Sequence, residues 1–174
     1  MNNISLRMTQ QDHAELRAHL FPGDGLEAAA LMLCKVAHAK RTKYLVRQLV
    51  LVPHEACQRQ RDALIWPGEF VEQGLTRAEN DGLAIIAVHS HPGGLLAFSA
   101  ADNASDAELM PAMAWRGDCA PGSAIMTADG QMRVRIYEGP NARPATVLIA
   151  GNDIVVHDDV FAGDVLPFTG DMTQ

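Results

Sequence analysis

Residues 83–102 read LAIIAVHSHPGGLLAFSAAD. The opening LAIIAV is an unbroken apolar run of strand length, which suits a strand buried on both faces. His89 and His91 follow two apart, so on a strand both imidazoles point to one side. Pro92 cannot continue the ladder and turns the chain away, and HPGGLLAF (91–98) reads as a loop. Ser99 then stands as the N-cap of a helix, with Asp102 at its third position, one turn in and facing the loop. Two imidazoles and a carboxylate at a strand end and a helix start make a three-ligand zinc site. Its fourth position is left for water, the arrangement of a catalytic site. Each half is weak alone: His-x-His on a strand is more often structural, and Ser-x-x-Asp before a helix is most often a cap. The combination carries the signal.

Upstream, ISLRM (4–8) predicts a short strand and QQDHAELRAHLF (10–21) a helix, with Asp12 and Glu15 in its first turns. PGDG (22–25) ends that helix, and LEAAALMLCKVA (26–37) reads as a central strand, although its alanines favour helix. TKYLVRQLVLVP (42–53) predicts a strand antiparallel to it across the basic turn HAKRTK (38–43). ALIWP (63–67) is a brief edge strand, and GEFVEQGLTRAENDG (68–82) an amphipathic helix ended by Gly82. Downstream, Pro111 predicts that the helix opening at Ser99 is short and gives way to an irregular segment before Gly117. GSAIMTADGQMRVRIYEG (122–139) is a hairpin turning at Asp129-Gly130, and ATVLIAG (145–151) and DIVVH (153–157) are the last strands. Strands alternating with about three helices give a single α/β or α+β domain.

The composition sets bounds without naming a reaction. A chain of 174 residues with 48% hydrophobic and 20% charged residues is one ordinary globular domain. Its net charge of −7 disfavours a phosphate backbone as partner. The apolar runs are too short to span a bilayer, and the first residues lack a secretory signal pattern. Cys34, Cys57 and Cys119 never form C-x-x-C, which argues against a disulfide framework or a cysteine zinc cage and for a cytoplasmic setting. GDG (23–25) is not a dinucleotide fingerprint, and Ser90 has no nucleophile elbow around it.

HSHPGGLLAFSAAD (89–102) resembles the JAMM motif of the MPN/JAB metallopeptidases, H-x-H-P-x6-S-x2-D, with the same spacing throughout. The family also has an upstream glutamate in the pattern E-x-x-G-x-x-x-G. Glu27, 62 positions before His89, fills that place, while Ala30 and Cys34 replace the glycines. A carboxylate opening an apolar segment is costly to bury without a partner, which favours a site. A glutamate in the first turn of a helix after PGDG is the competing reading. Glu55, Glu69, Glu72 and Glu79 lie in polar surroundings or on the solvent face of a helix.

The resemblance covers residues 1–157 and implies a mixed, mostly antiparallel central sheet flanked by helices, cytidine-deaminase-like. Residues 158–174 read as a tail or linker that could lead into another domain. It implies one zinc ion held by His89, His91 and Asp102 with a catalytic water, Glu27 as general base, and Ser99 as the hydroxyl that stabilises the oxyanion. Gly93 and Gly94, by their size, would keep the rim of the substrate cleft low. The implied activity is hydrolysis of the peptide or isopeptide bond after the C-terminal glycine of ubiquitin or a ubiquitin-like protein. An E1-like adenylating enzyme or an E2, encoded nearby or fused, is the further partner implied. Neither nucleic acid nor membrane is expected. Two alternatives stand beside this: a hydrolase of a sulfur-carrier or small amide conjugate, and a non-catalytic MPN scaffold.

Overall fold

The computed structural model describes residues 4–151 and 154–157; the tail expected over 158–174 lies outside the described residues. The chain runs β1 (Ile4–Thr9), α1 (Gln10–Leu20), β2 (Ala29–Ala37), β3 (Thr42–Leu51), β4 (Gln58–Arg59), β5 (Leu64–Ile65) and α2 (Gly68–Asp81). It continues β6 (Ala84–His91), α3 (Ala100–Arg116), β7 (Gly122–Thr127), β8 (Met132–Glu138), β9 (Asn141–Ala150) and β10 (Ile154–His157). The order across the main sheet is β1-β3-β2-β6-β7-β8-β9-β10. Strand β1 pairs in parallel with both β3 and β9, so the sheet returns on itself and is barrel-like. The pairing of β6 with β7 is also parallel, and the remaining pairs of this sheet are antiparallel. The resemblance implied a mixed, mostly antiparallel sheet flanked by helices; alternation along single strands said nothing of this closure, which rests on the pairing of β1 with β9.

Period-2 alternation divides the core. Leu6, Met32, Ile86, Met126 and Ile136 are fully buried on the face that the closing sheet encloses, and Leu16 and Leu20 of α1 pack onto it. Leu31, Leu33, Ile85 and Ala87 point to the other face, where Leu75 and Ala78 of α2 and Met110 and Met113 of α3 cover them. Burying each large aliphatic side chain contributes about 1.5–3 kcal/mol. Strand β2, between β3 and β6, is therefore apolar on both sides, as the run LEAAALMLC predicted.

Three expectations need correction. The strand expected over 26–37 begins at Ala29, because the N–H of Glu27 donates to the Gln60 carbonyl (2.8 Å) and its carbonyl accepts from Arg59 Nε (2.7 Å). The strand at ALIWP pairs not with the main sheet but with β4, in a separate two-stranded sheet. Helix α3 does not stop at Pro111 but runs through it to Arg116. Loss of one helical hydrogen bond there is offset by burial of Met110 and Met113 on either side, and by Arg116, whose guanidinium pairs with Glu72 and Glu79 of α2. Helix α2 ends as predicted, with Gly82 in the left-handed region at φ +59°.

Candidate metal centre

Odd-numbered residues of β6 face the layer of α2 and α3, so His89 and His91 leave the sheet on that side. Ser90 points the other way, is fully buried, and its Oγ accepts from the Ala28 N–H at 2.8 Å. It is a structural residue. Helix α3 then delivers Asp102. The Ser99 hydroxyl accepts from the Asp102 N–H (3.1 Å), and Asp102 Oδ2 accepts from the Ser99 N–H (2.6 Å), a complete capping box. The cap and the candidate ligand are thus one carboxylate, oriented by its own helix start.

The three side chains converge. His89 Nε2 lies 3.0 Å from Asp102 Oδ1, His91 Nε2 lies 3.4 Å from Asp102 Oδ2, and the two Nε2 atoms are 3.0 Å apart. One ligand atom from each residue falls within 4.8 Å of the others. A tetrahedral ion with bonds of about 2.0–2.1 Å holds its ligand atoms at just such separations, about 3.3 Å. Two imidazole nitrogens facing each other at 3.0 Å can share at most one proton, so their placement suits a cation that both can bind. His91 Nδ1 is 2.7 Å from the Leu95 carbonyl, which only accepts; Nδ1 therefore carries the hydrogen and Nε2 presents its lone pair to the centre. Residues and geometry fit a metal ion.

The electrostatics agree. Burial alone would raise the Asp102 carboxyl, but His89 and His91 beside it, and the Ser99 N–H that donates to it, hold it far below the usual carboxylate range. Burial would lower His91, yet the Asp102 carboxylate, the Leu95 carbonyl and the charge of Glu27 together raise it.

Glu27 precedes β2 and is 9% exposed. It lines the same cleft, of about 350 Å³, as His89, His91, Ser99 and Asp102. Burial pushes its carboxyl up against the pull of the two histidines, and the charges of Asp102 and Asp62 add to the rise. Gly93 also lines the cleft, and a side chain there would meet nothing within 4 Å. Gly94 has a backbone reason instead: its N–H donates to the His91 carbonyl at 3.0 Å in a turn with φ +82°, which favours glycine. The competing glutamates stay away from this cleft. Glu72 and Glu79 pair with Arg116.

Sequence reasoning missed the residues behind the centre. Asp106, 6% exposed, accepts on Oδ2 from Arg135 Nε (3.0 Å), Arg135 Nη2 (2.7 Å) and Tyr137 Oη (2.8 Å). Arg135 Nη1 donates to Asn103 Oδ1 at 2.7 Å, and its guanidinium lies 3.7 Å from the centre of the Phe98 ring. The signal was available: Asp106 is four residues after Asp102 on one helix face, and MRVRIYE alternates so that Arg135 and Tyr137 share the face opposite Val134 and Ile136. The remaining described histidine pairs form elsewhere. His19 stacks on His54 with centroids 4.6 Å apart, and His13 meets His157 edge-on.

No curated protein matches the sequence. Among solved structures, the chain is similar to the solution structure of protein DSY2949 from Desulfitobacterium hafniense, with a TM-score of 0.56 at 14% identity over 83% of this chain and 92% of that one. That likeness concerns the fold alone. The family described as prokaryotic homologues of the JAB domain matches residues 9–137, which include His89, His91 and Asp102 together with Glu27 and Ser99. The chain belongs to the prokaryotic JAB-domain family.

Proposed function

We propose that the protein is a cytoplasmic zinc-dependent peptidase or isopeptidase that cleaves after the C-terminal glycine of a ubiquitin-like protein. The observation that carries this reading is a buried carboxylate, Glu27, which shares one cleft with His89, His91 and Asp102 and makes no salt bridge among the described residues. A structural carboxylate so placed would be a liability. A general base needs such a position and a raised proton affinity.

His89, His91 and Asp102 would hold the ion, which when bound acidifies water and polarises a carbonyl. Glu27 accepts the proton of the attacking water and passes it to the departing amine. The Ser99 hydroxyl accepts from the Asp102 N–H, which leaves its own hydrogen to donate to the developing oxyanion. Gly93 keeps a side chain off the cleft wall, which suits a slender Gly-Gly terminus whose backbone alone must pass the centre. An E1-like adenylating enzyme or an E2 acting on the same modifier is the further partner that the resemblance implies.

The test is a panel of zinc-loaded reactions read by mass spectrometry: ubiquitin-like proteins extended beyond Gly-Gly, a sulfur-carrier conjugate and a small amide. Cleavage after the terminal glycine of the ubiquitin-like fusion, abolished by a chelator, is expected. Cleavage confined to the sulfur-carrier or small amide, or none at all, would contradict the assignment.

A further inference from the structure

We propose that Arg135 of β8 is a positioning residue that holds the metal-bearing turn of α3 against the sheet. The inference rests on the reading of His89, His91 and Asp102 as a metal centre. Helix α3 carries no buried residue from Ala100 to Ser105, so the turn that presents Asp102 has no apolar anchor of its own. Its buried apolar contacts begin at Met110 and continue at Met113, and its far end is tied by Arg116 to α2.

Arg135 supplies what that turn lacks. Its guanidinium touches three points that bracket the two site residues of the turn. It stacks on Phe98 immediately before Ser99, donates to Asn103 immediately after Asp102, and donates twice to Asp106 one turn further on. Tyr137, on the same face of β8, completes the acceptor oxygen of Asp106. Strand β8 lies beside β7, which lies beside β6, with Arg135 opposite Ser123 and Ser123 opposite Ala87. The strand carrying both histidines and the helix carrying the third ligand are thereby referred to one sheet. A three-ligand centre needs its ligand atoms fixed to fractions of an ångström, and outer partners that orient ligands commonly set metal affinity.

The test uses cobalt(II) as probe, with its dissociation constant and visible ligand-field band read alongside the melting temperature. Arg135→Lys keeps the charge but not the planar fork that reaches Phe98, Asn103 and Asp106 together. It should bind cobalt about tenfold more weakly or worse, with an altered band. Arg116→Ala is the control: it loosens the other end of α3, lowers the melting temperature, and should leave affinity and band as in the wild type. Because a lone change at Arg135 can strand the buried Asp106, the pair Arg135→Met with Asp106→Leu removes both charges and keeps the packing. It too should lose cobalt affinity. Wild-type affinity and band in both Arg135 variants would overturn the proposal. Failure of the wild-type chain itself to bind cobalt would instead overturn the metal reading, and the clamp with it.

Discussion

His89 and His91 bring their Nε2 atoms to 3.0 Å of each other, each also facing one oxygen of Asp102. Without a cation the protonated form of His91 is held by the Asp102 carboxylate beside it. The ligand residues therefore contribute to stability in a pH-dependent way even when metal-free. His91 is raised from 6.5, so its contribution is complete below that value and is lost as pH climbs through the raised one. Asp102 is lowered from 3.8, so its contribution is present above that value and fades only in strong acid.

A metal ion must displace the His91 proton. Apparent zinc affinity should therefore rise with pH, by up to about tenfold per unit for each proton released, until pH passes the raised His91 value above 6.5, and level off beyond it. Competition titrations at several pH values check this. A flat profile would mean that His91 is not protonated in the metal-free protein.

Glu27→Gln separates chemistry from binding. Zinc affinity should persist while turnover falls by about 10²–10⁴-fold. Stability moves the other way. Burial holds the Glu27 carboxyl above its ordinary 4.5, so the neutral form's contribution is full below that value and is lost as pH rises through the raised one. The metal-free variant should melt higher than wild type at neutral pH, and the difference should shrink in acid. Differential scanning calorimetry at two pH values measures both arms.

Ser99 has two jobs that different substitutions pull apart. Ser99→Ala removes the cap and should cost about 1 kcal/mol of stability, whereas Ser99→Gly should cost only about a few tenths. Both remove the hydroxyl, so both should lower kcat by about 10²–10³-fold with KM little changed. A Ser99→Gly enzyme with wild-type kcat would leave Ser99 a capping residue alone.

Much of this site was readable from local patterns. Strand β6, the turn at Pro92 and the Ser99–Asp102 cap all lie within one short segment, and the side-chain period of a strand places both histidines together. The hairpin turn at Gly130, with φ +86°, and the end of α2 at Gly82 were legible because glycine marks left-handed backbone. What stayed hidden depends on distant partners. The pairing of β1 with β9 brings Ser5 opposite Thr146, and no local period reports it. Pro111 argued for a break that packing of Met110 and Met113 overrides. The alternation of β8 sets the face of Arg135 but carries no local signal of its role, because its partners Phe98, Asn103 and Asp106 lie on α3 and the loop before it, 29 residues away or more in sequence.

The central claim is that His89, His91 and Asp102 together hold one catalytic metal ion, with Glu27 beside it but not bound to it. Elemental analysis of the purified chain, its Asp102→Ala variant and its Glu27→Gln variant after equilibration with micromolar zinc tests that most directly. The account predicts one zinc per chain in the wild type and in Glu27→Gln, and none in Asp102→Ala. A wild-type chain without zinc, a full equivalent in Asp102→Ala, or its loss from Glu27→Gln would contradict it.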